Sequence, residues 1–144
     1  MSAIADLLDV NVWLALTFDS HIHHPAAKSW FDGLSNNSIC CFCRLTQQGF
    51  LRLATNSKVF PKPLSVDEAL EHVDTWLAHP NTKIVAETDE HWRILRDLLQ
   101  ATGAAGNLTS DAHLAALALE YGAVLSSCDA DFSRFPNLRW QNPL

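Results

Sequence analysis

The sequence predicts an α/β fold: a mostly parallel sheet covered by helices on both faces. Short apolar runs at residues 3–8, Ser38–Phe42 and Ala123–Ser127 read as strands buried on both sides. The segments between them carry helix caps and apolar residues at helical spacing, the alternation that builds βα units. Acidic residues fall where such sheets gather ligands: Asp9 closes the first run and Asp129 follows the last.

The elements follow in order. After the first strand, Pro25 marks a helix start, with Ala26, Ala27, Trp30, Phe31 and Leu34 at helical spacing. Ser38–Phe42 is the second strand, and Leu45, Phe50, Leu51 and Leu53 define a helix over 45–55 that fades at Asn56. Pro61 and Pro63 make Val59–Leu64 a loop, and Ser65 with Glu68 three residues on is a capping box for a helix to about Leu77. A short strand at Lys83–Ala86 precedes a helix starting at Thr88, which has His91 in the capping-box position and ends at Gly103 and Gly106. Thr109 or Ser110 caps an Ala- and Leu-rich helix to Tyr121, stopped by Gly122; Leu138–Gln141 is an edge strand beyond Ala123–Ser127.

At 144 residues and 48% hydrophobic composition, the chain is expected to form one domain over residues 1–144. Its formal charge of -6 opposes nucleic acid unless a metal masks the acids or the bases cluster. The N-terminal apolar stretch is interrupted by Asp6 and Asp9 and has no basic leader, so neither a secretory signal nor a membrane span is expected and the location is cytoplasmic. Cys40, Cys41 and Cys43 crowd one strand and read as reduced core residues. With His21, His23 and His24 they match no paired C-x-x-C zinc pattern.

Carboxylates held together on rigid elements repel one another, and a hard divalent cation is the natural compensation. Asp9, Asp111 and the pair Asp129 and Asp131 are the candidates for such a centre. Such a centre activates water and stabilises charge on a phosphodiester. Singly, each acid also has a structural role: Asp9 in a turn cap, Asp111 in a first helical turn favoured by the helix dipole, Asp129 or Asp131 in a turn before Phe132. Asn11 and Ser127 sit where each could orient a carboxylate.

Three stretches, LLDVNVWLAL, CRLTQQGFLRLATN and TSDAHLAALALEYGAVLSSCDADFSRFPNLRW, together make the chain resemble the PIN-domain ribonucleases, in particular VapC-type toxins of toxin–antitoxin pairs. The resemblance implies a three-layer PIN-like fold and a Mg2+- or Mn2+-dependent endoribonuclease, with Asp9, Asp111 and Asp129 as its acids. It also implies an RNA substrate, a VapB-type antitoxin protein as partner, and a homodimer.

One feature departs from that family. A glutamate is common in the helix after the second strand, but here that region reads Thr46, Gln47, Gln48, Gly49, Phe50, and no acid occurs from Gly33 to Val66. Gln48 or Gln47 could hold a water on the metal through its amide oxygen, and Gly49 at the aligned position would leave space for water. The alternative is therefore a PIN-like module that binds RNA or a protein partner without cutting. The same acid-free stretch holds Arg44 and Arg52, the expected RNA-binding residues, with Lys58, Lys62 and the upstream Lys28. His113 is expected to face away from Asp111, and the five tryptophans are read as core or interface anchors. No D-x-D-x-T/V run or glycine-rich phosphate loop supports a phosphatase.

Overall fold

The computed structural model describes residues 4–144. In chain order it contains β1 (Ile4–Leu8), α1 (Val10–Thr17), α2 (His24–Asp32), β2 (Ser38–Phe42), α3 (Arg44–Ala54), α4 (Val66–Ala78), β3 (Thr82–Ile84), α5 (His91–Thr102), α6 (Leu108–Tyr121), β4 (Val124–Ser126) and β5 (Trp140–Gln141), with a 3-10 turn at Ala130–Arg134. The sheet order is β3-β2-β1-β4-β5 and every pairing is parallel. The chain runs outward from β1 to β3 on one side, then returns to place β4 against the other side of β1. That reversal makes the carboxyl ends of β1 and β4 a topological switch point, where parallel sheets open a crevice.

Strand alternation divides the core between two faces. Leu7, Cys41 and Leu125 pack with Leu98 of α5, the alanine-rich face of α6 and Phe132. Leu8, Cys40 and Phe42 pack on the opposite face with Val12, Trp13, Phe50, Ala69 and Val73 from α1, α3 and α4. Trp13 stacks on Phe42 with ring centroids 3.8 Å apart, and Trp76 meets it edge-on at 5.1 Å. The three layers follow from these two clusters. Cys40, Cys41 and Cys43 are buried free thiols, and burial pushes Cys40 up to about 12 and Cys41 up to about 11, as expected of reduced core residues.

Some boundaries differ from expectation. α1 was not foreseen, because Val12, Trp13, Leu14 and Ala15 are all buried and a helix buried on every side shows no polar periodicity. α5 begins at His91 instead of Thr88, because the Thr88 backbone N–H and hydroxyl both bond to Glu120 Oε1, at 2.8 and 2.7 Å. His91 in turn bridges Glu120 and His113 instead of closing a capping box. α6 begins at Leu108, so Thr109 and Ser110 fall in its first turn and do not cap it. β3 is Thr82–Ile84 and β5 shortens to Trp140–Gln141. The Ser65–Glu68 capping box forms as expected, with reciprocal bonds of 3.0 and 3.1 Å.

Asp6 lies in the middle of β1, 3% exposed. Gln141 Nε2 donates to its Oδ1 at 3.0 Å and to Ser126 Oγ at 2.9 Å. Burial pushes the Asp6 carboxyl from 3.8 up to about 6, against the pull of Arg139. A raised carboxyl pKa means that the folded state binds more protons than the unfolded state between those values, so stability falls as pH rises through them. Asp6→Asn removes the charge while keeping an acceptor for Gln141. The substitution should stabilise the protein by roughly 1–3 kcal/mol at pH 7.5, an advantage that dwindles as pH is lowered to about 4. Urea unfolding at the two pH values measures it, and an equal effect at both would show that folding does not raise the Asp6 carboxyl.

Candidate functional site

The switch-point crevice is built around one hydroxyl. The Asp9 N–H donates to the Ser126 carbonyl at 2.9 Å, joining the end of β1 to β4. The next residue, Ser127, is fully buried; its Oγ donates to Asp9 Oδ2 at 2.8 Å and accepts from Asn11 Nδ2 and from the Asp129 N–H, each at 3.0 Å. Asn11 also donates to Asp9 Oδ2 at 3.3 Å, and its Oδ1 accepts the Cys128 N–H at 3.2 Å. Asp9 Oδ1 caps α1 through the Val10 N–H at 2.7 Å. Asn11 and Ser127 thus orient Asp9, and Ser127 carries that order on to Asp129.

The other acids come from α6 and the 3-10 turn. Asp111 sits in the first turn of α6 and Asp131 in the first turn of the 3-10 segment, where Asp129 Oδ1 accepts the Asp131 N–H at 2.9 Å. One carboxylate oxygen each from Asp111, Asp129 and Asp131 lie within 4.8 Å of one another, close enough to share a cation. This group holds Asp131 where the sequence led us to expect Asp9. Asp9 is close enough to act electrostatically: burial, then Asp129, Asp9 and Asp131 push Asp111 up to about 6. Burial also raises the Asp9 carboxyl, opposed by its bonds to Ser127, Val10 and Asn11 and aided by Asp129. Hard oxygen donors that repel one another suit a divalent cation.

Two open cavities meet at Asp111. One is lined by Asp9, Asn11, Thr46, Gly49 and Arg52; the other by Asp129, Asp131, Arg134 and Asn107. Arg52 therefore flanks the acids. Arg44 does not line either cavity: it is exposed and donates to Gln47 Oε1 at 2.9 Å. Gln48 is also exposed and outside the lining, one residue round the helix from Gly49. Its expected contact with a water on the metal has no support in this placement. Thr46 lines the cleft, but its hydroxyl is spent on the Cys43 backbone. His113 faces away, bonded to His91 and to Glu87. His24 Nδ1 bonds to the Ala15 carbonyl at 2.8 Å, apart from the buried cysteines. Arg134 and Asn107 were not foreseen; the spacing from Asp131 to Arg134, one turn of a short helix, was the only signal of the former.

The vacancy near Gly49 is not a space for water. A Cβ there would meet Val10 Cγ2 at 2.7 Å, so the missing side chain lets α3 close on α1. Overpacking costs about 1–3 kcal/mol, more than the roughly 1 kcal/mol that Ala gains over Gly in a helix. Gly49→Ala should therefore be net destabilising in the native background and neutral to stabilising in a Val10→Ala background. A double-mutant cycle by chemical denaturation checks this; additivity of the two substitutions would remove the steric account.

Comparison with known proteins extends these observations. The PIN domain family model matches residues 7–138. Ribonuclease VapC37 of Mycobacterium tuberculosis is 40% identical over 138 residues, covering 95% of this chain and 96% of its own length. Ribonuclease VapC33 of the same species is 34% identical over 94% of this chain and 96% of its own. Among solved structures, VapBC2 from Rickettsia felis, bound to a DNA fragment from its promoter, superposes with a TM-score of 0.72 at 16% identity, over 96% of this chain and 98% of that one.

Proposed function

The chain belongs to the PIN-domain family, and on that premise we propose that it is a metal-dependent endoribonuclease, the toxin of a VapBC-type toxin–antitoxin pair, acting through residues 1–144 as one domain. The observation that carries this reading is the convergence of Asp111, Asp129 and Asp131 at the switch point, with Asp9 clamped beside them. These acids would hold Mg2+ or Mn2+, which supplies Lewis acidity toward a phosphodiester and makes water nucleophilic near neutral pH. Ser127 and Asn11 fix the Asp9 carboxylate, and the Asp129 side chain holds the turn that presents Asp131. Arg52, at the rim beside Asp9 and Asp111, contacts a phosphate of the RNA.

The partner is a VapB-type antitoxin protein, in keeping with the VapBC complex among the structural relatives, and the toxin works as a homodimer. No helix of the described residues is long and apolar enough to cross a membrane. The non-cutting alternative draws on the absent glutamate, but three carboxylates remain at the centre.

Total RNA incubated with Mg2+ or Mn2+ should be cleaved, and a chelator should stop the reaction. Asp111→Asn and Asp129→Asn should each lower the cleavage rate by on the order of 10²–10³-fold, the scale of losing one charge-stabilising group. Ser127→Ala, which leaves Asp9 in place without its hydroxyl clamp, should lose less. Cleavage unaffected by chelator or by either Asn substitution would sink the mechanism, whereas RNA binding without cleavage under all conditions would favour the binding-module reading.

A further inference from the structure

A second group of metal-binding side chains, outside the acidic centre, joins the start of α5 to α6. His91 opens α5, His113 lies in α6, and His91 Nε2 is 3.1 Å from His113 Nδ1. Each ring has a carboxylate behind it: His91 Nδ1 is 2.6 Å from Glu120 Oε2, and His113 Nε2 is 3.1 Å from Glu87 Oε1.

These pairings fix which nitrogens carry hydrogen. A carboxylate only accepts, so His91 Nδ1 and His113 Nε2 are the donors, and a neutral imidazole has a single N–H. The two nitrogens that face each other are then both lone pairs, which repel unless a positive charge joins them, either a shared proton or a metal ion. The rings favour the metal. A shared N–H···N bond prefers to be straight, which would place the ring centroids about 2 Å farther apart than the nitrogens. The centroids are only 4.5 Å apart, against 3.1 Å between the nitrogens, and the ring planes are inclined at 65°. At least one lone pair therefore points beside the N···N line, where a cation reaches both rings. Two imidazole nitrogens on a tetrahedral zinc ion are about 3.3 Å apart, so the pair has to open by only a few tenths of an ångström.

The carboxylates hold the rings for that role. Metal-bound histidines commonly donate their other N–H to a carboxylate, which sets the tautomer and raises the basicity of the ring. Glu120 is itself anchored: its side chain is 1% exposed, and Oε1 accepts from both the backbone N–H and the hydroxyl of Thr88. His91 is mostly enclosed, whereas His113 is 26% exposed and leaves a side open to water. By contrast His24, at the start of α2, has only the fully exposed Asp19 beside it.

We propose that His91 Nε2 and His113 Nδ1 bind a borderline divalent transition-metal ion of the zinc class, with water completing its coordination and Glu120 and Glu87 as outer partners. Imidazole nitrogen suits such ions, whereas the carboxylates of the acidic centre suit magnesium or manganese, so the two sites sort different metals. The ion ties α5 to α6 and stabilises the fold, because the unfolded chain does not hold the two rings together. This site stands whether or not the acids cut RNA.

Zn2+ alone is the probe, titrated by calorimetry into the full chain with saturating Mg2+ present to fill the acidic centre. A single equivalent should bind, and binding should persist in Asp129→Asn. Glu120→Gln should weaken it by about 10- to 100-fold, and His91→Ala or His113→Ala by more. Zn2+ should raise the Tm of the unmodified protein and leave that of His91→Ala unchanged. Proton–nitrogen correlation spectra of the imidazole rings identify the ligating atoms: Zn2+ should shift His91 Nε2 and His113 Nδ1 while His91 Nδ1 and His113 Nε2 stay protonated. Should a variant fail to fold, these spectra of the unmodified protein decide alone. Ring resonances unmoved by Zn2+ overturn the proposal and leave a shared proton between the rings. So does Zn2+ binding that survives both alanine substitutions, or that disappears with Asp129→Asn, since the ion would then belong to other side chains or to the acids.

Discussion

The contact between Ser127 Oγ and Asp9 Oδ2 joins residues 118 positions apart in sequence, and the arrangement of the centre depends on it. It can form only if β4 lies against β1, in register with Leu8 opposite Ser126. That pairing in turn requires the chain to reverse direction across the sheet, with α5 and α6 filling the face over Leu7 and Leu125. One buried hydroxyl thus reports the topology, the packing of one layer and the position of two acids. Its three hydrogen bonds leave a fully buried polar atom satisfied, which makes burial affordable in free-energy terms.

The acids divide by how they are held. Asp9 has both oxygens engaged, by Val10 N–H on one side and by Ser127 and Asn11 on the other. Asp111 has neighbours of its own charge and, among the described residues, no side-chain bond to offset them, and its carboxyl is pushed up to about 6 by burial and by those neighbours. Repulsion is therefore concentrated where a cation would relieve it, while the carboxylate nearest the sheet is already braced. Val10 closes the remaining side: its methyl group occupies the approach to Gly49, so the α1–α3 contact there is apolar and close.

Much of this was legible in the sequence. Apolar runs gave the strands, the Ser65–Glu68 pair gave the start of α4, and acids at strand ends pointed to the edge of the sheet that carries the crevice. Helix α1 was hidden because its burial extends around the helix and erases periodicity. The approach of Asp131 to Asp111 depends on the 3-10 turn folding back toward α6, a tertiary event with only weak local signal. The separation of Arg52 from Arg44 and Gln48 depends on which face of α3 meets the cleft, and a stretch with no acids gives no charge pattern to decide it. Exposure of Trp92 was equally hidden, since composition treats a bare indole and a buried one alike.

The net charge of -6 argues against an RNA partner only if charge acts as a sum over the molecule. In physiological salt the screening length is about 8 Å, so a phosphate responds to its near neighbours far more than to the opposite side of the protein. Beside the acids those neighbours are Arg52 on one side and Arg134 on the other, neither with a carboxylate within 4.0 Å among the described residues. Among the described residues only Lys28, with Asp32, and Arg93, with Glu90 and Asp97, have a carboxylate within 4.0 Å; the other lysines and arginines do not. A divalent ion at the acids would remove the remaining repulsion at the point where the backbone must approach most closely. Because a phosphate reads charge locally, an acidic protein can still present an attractive approach to a polyanion where Arg52 and Arg134 flank the acids.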